Sequence, residues 1–169
     1  MSKFCCKIVP ISEGGQLSTF DCGVCELNEW LQKHSRAGAK SGSAQTFVAV
    51  GSKDEIIGYY ALTVQSVTAK TAPSRMSKGM PRHPIPVILL ARLAVDEEFK
   101  GQGIGVGLLK NALLRCLNAS KEMGVRAVIV DAKNDAARLF YQHFNFAPFP
   151  DDSNRLFLLI KDLDKIIRG

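Results

Sequence analysis

The chain has 169 residues, 46% hydrophobic and 22% charged, with 22 Lys+Arg against 16 Asp+Glu for a net charge of +6. That length and balance suit one globular domain with a real core, expected to span 1–169. No apolar run approaches the ~20 residues of a membrane-crossing helix, and Met1–Lys7 lacks the apolar stretch of a signal peptide, so a cytoplasmic protein that meets no membrane is expected.

In chain order, Ile8–Ile11 reads as a first strand. A helix follows from about Val24 to Arg36, with Leu27, Trp30 and Leu31 on one face. Residues 37–44, small and polar with Gly38 and Gly42, read as a loop. Thr46–Val50 and the β-branched, aromatic run Ile56–Val67 form a hairpin across Gly51–Glu55. Thr68–Pro86 carries Pro73, Pro81, Pro84 and Pro86, which should keep it out of a sheet. Ile88–Val95 is a short, bounded apolar run, as a buried strand is. Ile104, Leu108, Leu109, Ala112, Leu113, Cys116 and Leu117 recur at helical spacing. Val125–Asp131 is a second buried strand. Asn134 suits an N-cap for a helix over 135–144, with Asp135 in the first turn, where the dipole favours it. Asn145 suits the positive φ of a helix end. Phe146–Phe149 and Arg155–Lys161 then pair across a turn at Pro150–Asn154.

Charge is unevenly distributed. No acid stands between Glu29 and Asp54, where Lys33, Arg36, Lys40 and Lys53 fall. None stands between Glu55 and Asp96, where Lys70, Arg75, Lys78, Arg82 and Arg92 fall. This asymmetry suggests a polyanionic partner for the first half. The five cysteines are Cys5, Cys6, Cys22, Cys25 and Cys116. Without a signal peptide they do not make a disulfide framework. Cys22-x-x-Cys25 could enter a zinc site only with Cys5-Cys6, so structural thiols and no metal are expected.

Two motifs carry chemistry. Lys100-Gly101-Gln102-Gly103-Ile104-Gly105 joins a strand to a helix. Glycines let backbone approach closely, and the first helical N–H groups lack intrahelical acceptors, so such a turn can cradle a phosphate. Neither the dinucleotide fingerprint nor the P-loop fits, because Val106 stands where a third glycine belongs and no Gly-Lys-Ser/Thr follows. The second motif is Asn134-x-x-Ala137-x-x-Phe140-Tyr141-x-x-x-Asn145-Phe146.

Lys100-x-x-Gly103-x-Gly105 resembles the acetyl-CoA pyrophosphate loop of the GNAT N-acetyltransferases, with Lys in place of the usual Gln or Arg. The second motif resembles that superfamily's Asn-x-x-Ala-x-x-Phe-Tyr-x-x-x-Gly-Phe, with Asn145 in place of glycine. Three further runs are similar to the GNAT toxins of bacterial toxin–antitoxin pairs. They are Phe20-x-Cys22-Gly23-x-x-x-Leu27-Asn28-x-Trp30-Leu31, Ala44-x-Thr46-Phe47-Val48, and Pro84 to Asp96. The resemblance implies an α+β (α/β three-layer) GNAT fold: a mixed, mostly antiparallel sheet with two splayed central parallel strands, Leu90–Val95 and Val125–Val130, and flanking helices. It also implies an acetyl-CoA-dependent toxin that acetylates the α-amino group of aminoacyl-tRNA and blocks translation. Its expected partners are a ribbon-helix-helix antitoxin and a second copy of the chain in a homodimer.

The implied roles fall on particular residues. Backbone of Leu93, Ala94 and Val95 would pair with the pantetheine arm as an added strand does. Amides of Gly101, Gln102, Gly103, Ile104 and Gly105 would hold the pyrophosphate, with Lys100 adding charge. Asn134, Ala137 and Phe140 would complete the cofactor site. An α-amino group titrates near about 7.7–8.0, so the substrate amine needs no strong base. Tyr141 matches the position of the family's general acid, facing the departing thiolate. Lys33, Arg36, Arg75, Lys78, Arg82 and Arg92 are the candidates for tRNA, whose phosphates a basic surface attracts. A GNAT enzyme for a small-molecule or protein amine, and a non-catalytic module binding acetyl-CoA or nucleic acid, are the competing readings.

Overall fold

A computed structural model describes residues 6–168. Strands β1 (Lys7–Pro10), β2 (Gln45–Val50), β3 (Ile56–Val67), β4 (Ile85–Val95), β5 (Ala127–Asp131), β6 (Ala147–Phe149) and β7 (Asp152–Leu159) follow the sheet order β1-β2-β3-β4-β5-β7-β6. The β4–β5 pair is parallel, whereas β1–β2, β2–β3, β5–β7 and β6–β7 are antiparallel. The helices are α1 (Cys25–Glu29), α2 (Ser35–Ser41), α3 (Ser74–Ser77), α4 (Ile104–Ser120), α5 (Asp135–His143) and α6 (Ile160–Arg168). Two compact units divide the chain, the first comprising residues up to Thr63 with Ala91–Ala112, the second Val64–Leu90 with Leu113 onward.

In the first unit, Val9, Ile11, Phe20, Leu27, Leu31, Val48, Ile56 and Tyr59 form one apolar cluster. The Tyr59 ring sits edge-on to Phe20 and parallel to Trp30, and its hydroxyl donates to the Leu27 carbonyl at 2.8 Å. Gly58 lies where a Cβ would meet Leu108 Cδ1 at 2.8 Å, so β3 and α4 touch backbone to side chain. The β2–β3 hairpin closes with Gly51 donating to the Glu55 carbonyl and Asp54 in the left-handed region.

In the second unit, β5 is buried from Ala127 to Val130, as expected for a strand covered on both faces. Its pairs with β4 run from Val87–Ala127 to Leu90–Val130. β5 ends at Asp131, but β4 continues to Val95. All seven residues named for the apolar face of α4 are buried.

Four expectations need correction. The helix does not stop at Arg36. After a π-helical turn over Trp30–His34 it continues as α2 to Ser41, and Gly42, at φ +81°, caps it. Gly38 is tolerated inside because Ser43 and Ala44 donate back to its carbonyl. Pro86 does lie in the sheet. It is the second residue of β4, ahead of the first β5 pair, and its carbonyl accepts from the Arg126 N–H at 2.8 Å. Finally, β7 stops at Leu159, and residues 160–168 form α6, which buries Leu163. The first strand is Lys7–Pro10 rather than Ile8–Ile11.

Candidate active site

The glycine-rich turn is built as its sequence suggests. Gly101 and Gly103 have φ of +79° and +81°, a left-handed backbone that L side chains resist. Open space surrounds the Cβ position of each. The Gly107 N–H donates to the Gly103 carbonyl at 3.0 Å, so the α4 ladder begins there. The amides just after Gly103 therefore have no acceptor within the helix, and they lie at its positive end. This open cradle of backbone N–H groups fits a diphosphate.

Preceding the cradle is β4. The Asp96 N–H bonds the Ile57 carbonyl of β3 at 2.8 Å. Alternation along an extended strand then turns the backbone groups of Val95 and Leu93 away from β3, and those of Ala94 toward it. Ala94 is itself buried. Leu93 and Val95 thus suit an added strand, and Ala94 serves as packing.

Asp96 leads into a 3-10 turn over Glu97–Phe99 and uses both carboxylate oxygens. Oδ1 accepts from the Glu98 N–H and Oδ2 from the Asp21 N–H, each at 3.0 Å. The Lys100 ammonium does not point into open solvent. It donates to the Cys22 carbonyl at 2.9 Å and to Glu97 Oε1 at 2.8 Å. Its expected contribution of charge to a diphosphate competes with these partners. The pair is half exposed, so opening it costs little.

In the second unit, Asn134 Oδ1 accepts from the Ala137 N–H at 2.8 Å, the N-cap anticipated from sequence. Asn145 sits at φ +71°. Ala137 and Phe140 are half-buried, and Tyr141 is buried. The Tyr141 ring meets Phe140 and Phe146 edge-on at 5.3 and 5.5 Å. Burial pushes its phenol up to about 12 from an ordinary 10, so it stays protonated across the neutral range.

The six cations fall into two groups. Lys33 pairs with Glu29 at 3.2 Å, and Arg75 with Asp162 at 2.6 Å. Arg92 lies 4.3 Å over the Trp30 ring. Arg36, Lys78 and Arg82 are exposed, and no ion pair is seen for them among the described residues. Sequence reasoning missed Arg126. Its guanidinium donates to the Arg75, Met76 and Lys78 carbonyls, shaping the turn that presents the basic segment. A single arginine opening a strand gives no signal of that role. Cys22 and Cys116 are buried, Cys6 is half-buried and Cys25 exposed. No metal-holding cluster occurs among the described residues, and Cys5 lies outside them.

Residues 42–148 match the acetyltransferase (GNAT) domain model. The chain belongs to the GNAT acetyltransferase family. A tRNA-acetylating toxin of Mycobacterium tuberculosis is 40% identical over 157 residues, 93% of each chain. A solved structure of AtaT complexed with acetyl-methionyl-tRNAfMet superposes with a TM-score of 0.88 at 26% identity, covering 96% of this chain and 99% of that one. AtaTR bound with acetyl-CoA superposes at 0.84 and 28% identity, covering 96% and 98%. The strand order found above, with its parallel β4–β5 pair and flanking helices, is thus a GNAT sheet. Among the described residues, no helix is long and apolar enough to cross a membrane.

Proposed function

We propose that the protein is an acetyl-CoA-dependent N-acetyltransferase toxin that acetylates the α-amino group of aminoacyl-tRNA and so blocks translation. One observation carries the cofactor half: the left-handed Gly101 and Gly103, open to solvent, at the start of α4. In this reading 1–169 works as one acetyltransferase domain in the cytoplasm, as a homodimer neutralised by a ribbon-helix-helix antitoxin. The named toxin relative and the AtaT complexes support it.

Acetyl-CoA supplies the acyl group as a thioester. The amides of Gly101 to Gly105 hold the diphosphate. Lys100 can reach it by leaving Glu97. Leu93 and Val95 offer backbone to the pantetheine arm, Ala94 supports that strand, and Asn134, Ala137 and Phe140 shape the helix carrying the phenol. The neutral amine attacks the carbonyl carbon, the C–S bond breaks, and sulfur gains the electron pair and a proton.

Tyr141 serves as the donor in a particular way. Burial holds the phenol in its neutral form, so leaving the ring as a phenolate among its aromatic neighbours is unfavourable. The phenol therefore passes its proton only as it receives the one shed by the attacking nitrogen. Net charge on the ring stays near zero throughout. Lys33, Arg36, Arg75, Lys78, Arg82 and Arg92 form the surface for tRNA, with Arg36, Lys78 and Arg82 the least encumbered.

Incubation with total aminoacyl-tRNA and labelled acetyl-CoA tests the reading. Label should appear on the aminoacyl moiety, released by mild alkali as N-acetyl amino acid. Label found only on a small amine or on protein would favour those substrates instead. No transfer with retained acetyl-CoA binding would leave a non-catalytic module.

A further inference from the structure

The start of α1 and the turn ahead of the glycine loop are joined by a hydrogen-bonded clasp in the first unit. The Asp21 N–H donates to Asp96 Oδ2 at 3.0 Å, and the Glu97 N–H donates to the Asp21 carbonyl at 2.8 Å. The Lys100 ammonium then reaches the Cys22 carbonyl at 2.9 Å. Three bonds thus tie residues 21–22 to residues 96–100, directly before Gly101. Gly23 suits this turn because its φ is +85°, a left-handed backbone that L side chains resist, and Glu97 Oε1 packs against the face where a Cβ would stand.

What holds residues 21–22 in place is a second layer. Asp21 Oδ1 accepts from the Gly23 N–H and from Asn28 Nδ2, each at 2.9 Å. Asn28 Oδ1 accepts from the Cys22 N–H at 2.8 Å. Asn28 therefore uses its amide in both senses, as donor to a carboxylate and acceptor from backbone. The arrangement folds the chain into a tight turn whose outward carbonyls, those of Asp21 and Cys22, are the ones gripping the 96–100 segment. Asp96 transmits this grip, because its other oxygen caps the turn through Glu98.

We propose that Asp21 and Asn28 are positioning residues for acetyl-CoA, setting the placement of the Gly101–Gly105 amides through the Asp96 turn. The inference rests on that loop being the diphosphate site. An amide cradle binds by geometry rather than by net charge, so sub-ångström displacement weakens every N–H contact together. Neither residue touches the reacting atoms. Their loss therefore acts on acetyl-CoA affinity and not on the chemical step.

The test exploits the polarity of the Asp21–Asn28 bond. Asn28→Asp sets two carboxylates face to face and removes the donor. Asp21→Ala removes the single oxygen that accepts from both the Gly23 N–H and Asn28 Nδ2. Acetyl-CoA affinity is read by calorimetry on full-length protein, scaled to the folded fraction. N28D should weaken binding about tenfold and raise KM for acetyl-CoA alike, while kcat at saturating acetyl-CoA and KM for aminoacyl-tRNA hold. D21A should weaken binding to a similar degree. If N28D folds poorly, D21N alone supplies a milder version of the same readout. Unchanged affinity in N28D overturns the proposal, and so does a parallel fall of kcat and both KM values, which marks a merely structural residue. Gly103→Asp separates the two layers of the argument. If it leaves acetyl-CoA affinity intact, the loop itself is misassigned, whereas a weakened G103D beside an unaffected N28D removes only the clasp.

Discussion

The turn-and-loop at Asp96–Gly105 and the basic segment at Lys70–Arg82 both face an anion in the proposed reaction, but they do so by opposite means. In the first, charged side chains are engaged internally: Asp96 with Asp21 and Glu98 amides, Glu97 with Lys100, Lys100 with Cys22. The surface left for a ligand is bare backbone on left-handed glycines. In the second, side-chain charge is the whole argument, and folding has already neutralised part of it through Arg75 and Asp162. A site made of backbone geometry survives folding as its motif reads. A site inferred from a charge count does not, because the count cannot see partners from distant parts of the chain.

The largest expected effect lies in neither region. Tyr141→Phe removes one hydroxyl and keeps the edge-on ring contacts with Phe140 and Phe146. It should lower kcat about 10²–10⁴-fold while acetyl-CoA affinity holds, measured by single-turnover transfer and calorimetry. Wild-type kcat in that variant would end the general-acid assignment. Next, Gly103→Asp should weaken acetyl-CoA at least about tenfold, from left-handed strain of about 1–2 kcal/mol plus a carboxylate set against the diphosphate. Gly103→Ala, which fills the same open space without charge, should cost less, and the gap between the two isolates the electrostatic share. Equal losses would show that shape alone sets the backbone site.

pH gives a further separation. Burial holds the Tyr141 phenol near 12, above its ordinary 10. The unfolded chain therefore loses this proton first. The corresponding stability is complete below pH 10 and disappears as pH rises toward about 12. Melting temperatures should fall more steeply over that window in wild type than in Tyr141→Phe. The rate profile should rise with deprotonation of the substrate amine and then stay level, with no descending limb from Tyr141 below pH 10. A limb centred near 8 would point to another acid.

The parts legible in the sequence share a cause. The α4 face, the Asn134 cap, the positive φ of Asn145 and the glycine loop are local rules, decided within one or two turns of chain. What escaped is non-local or balanced between rules. Gly38 looked like a helix breaker, but its carbonyl gains two donors from Ser43 and Ala44. Pro86 looked incompatible with a strand, yet at the second residue of β4 its missing N–H removes no β5 pair. α6 was hidden because the apolar strand run ending at Leu159 continues into Ile160, so that the helical spacing of Ile160, Leu163 and Ile167 reads as more strand. The Asp21–Asn28–Asp96 clasp joins residues 75 apart, a separation no periodicity reports.

The finest distinction concerns the charges themselves. If availability rather than number governs tRNA binding, salt titrations of single variants should not be alike. Lys78→Gln and Arg82→Gln should each flatten the slope of log affinity against log salt by about one. Arg75→Gln should flatten it by less, because Asp162 already neutralises that guanidinium. Asp162→Asn should then steepen the wild-type slope by freeing Arg75, an effect a plain count of cations does not allow. The opposing physics is that Arg75 is 58% exposed, although Asp162 is only 25% exposed, and pairs open to solvent are held by roughly 1 kcal/mol or less. A phosphate could compete Asp162 away at that level. Equal slopes for Arg75→Gln and Lys78→Gln, together with no change in Asp162→Asn, would mean that it does, and that the cation count taken from sequence was the right measure of this surface after all.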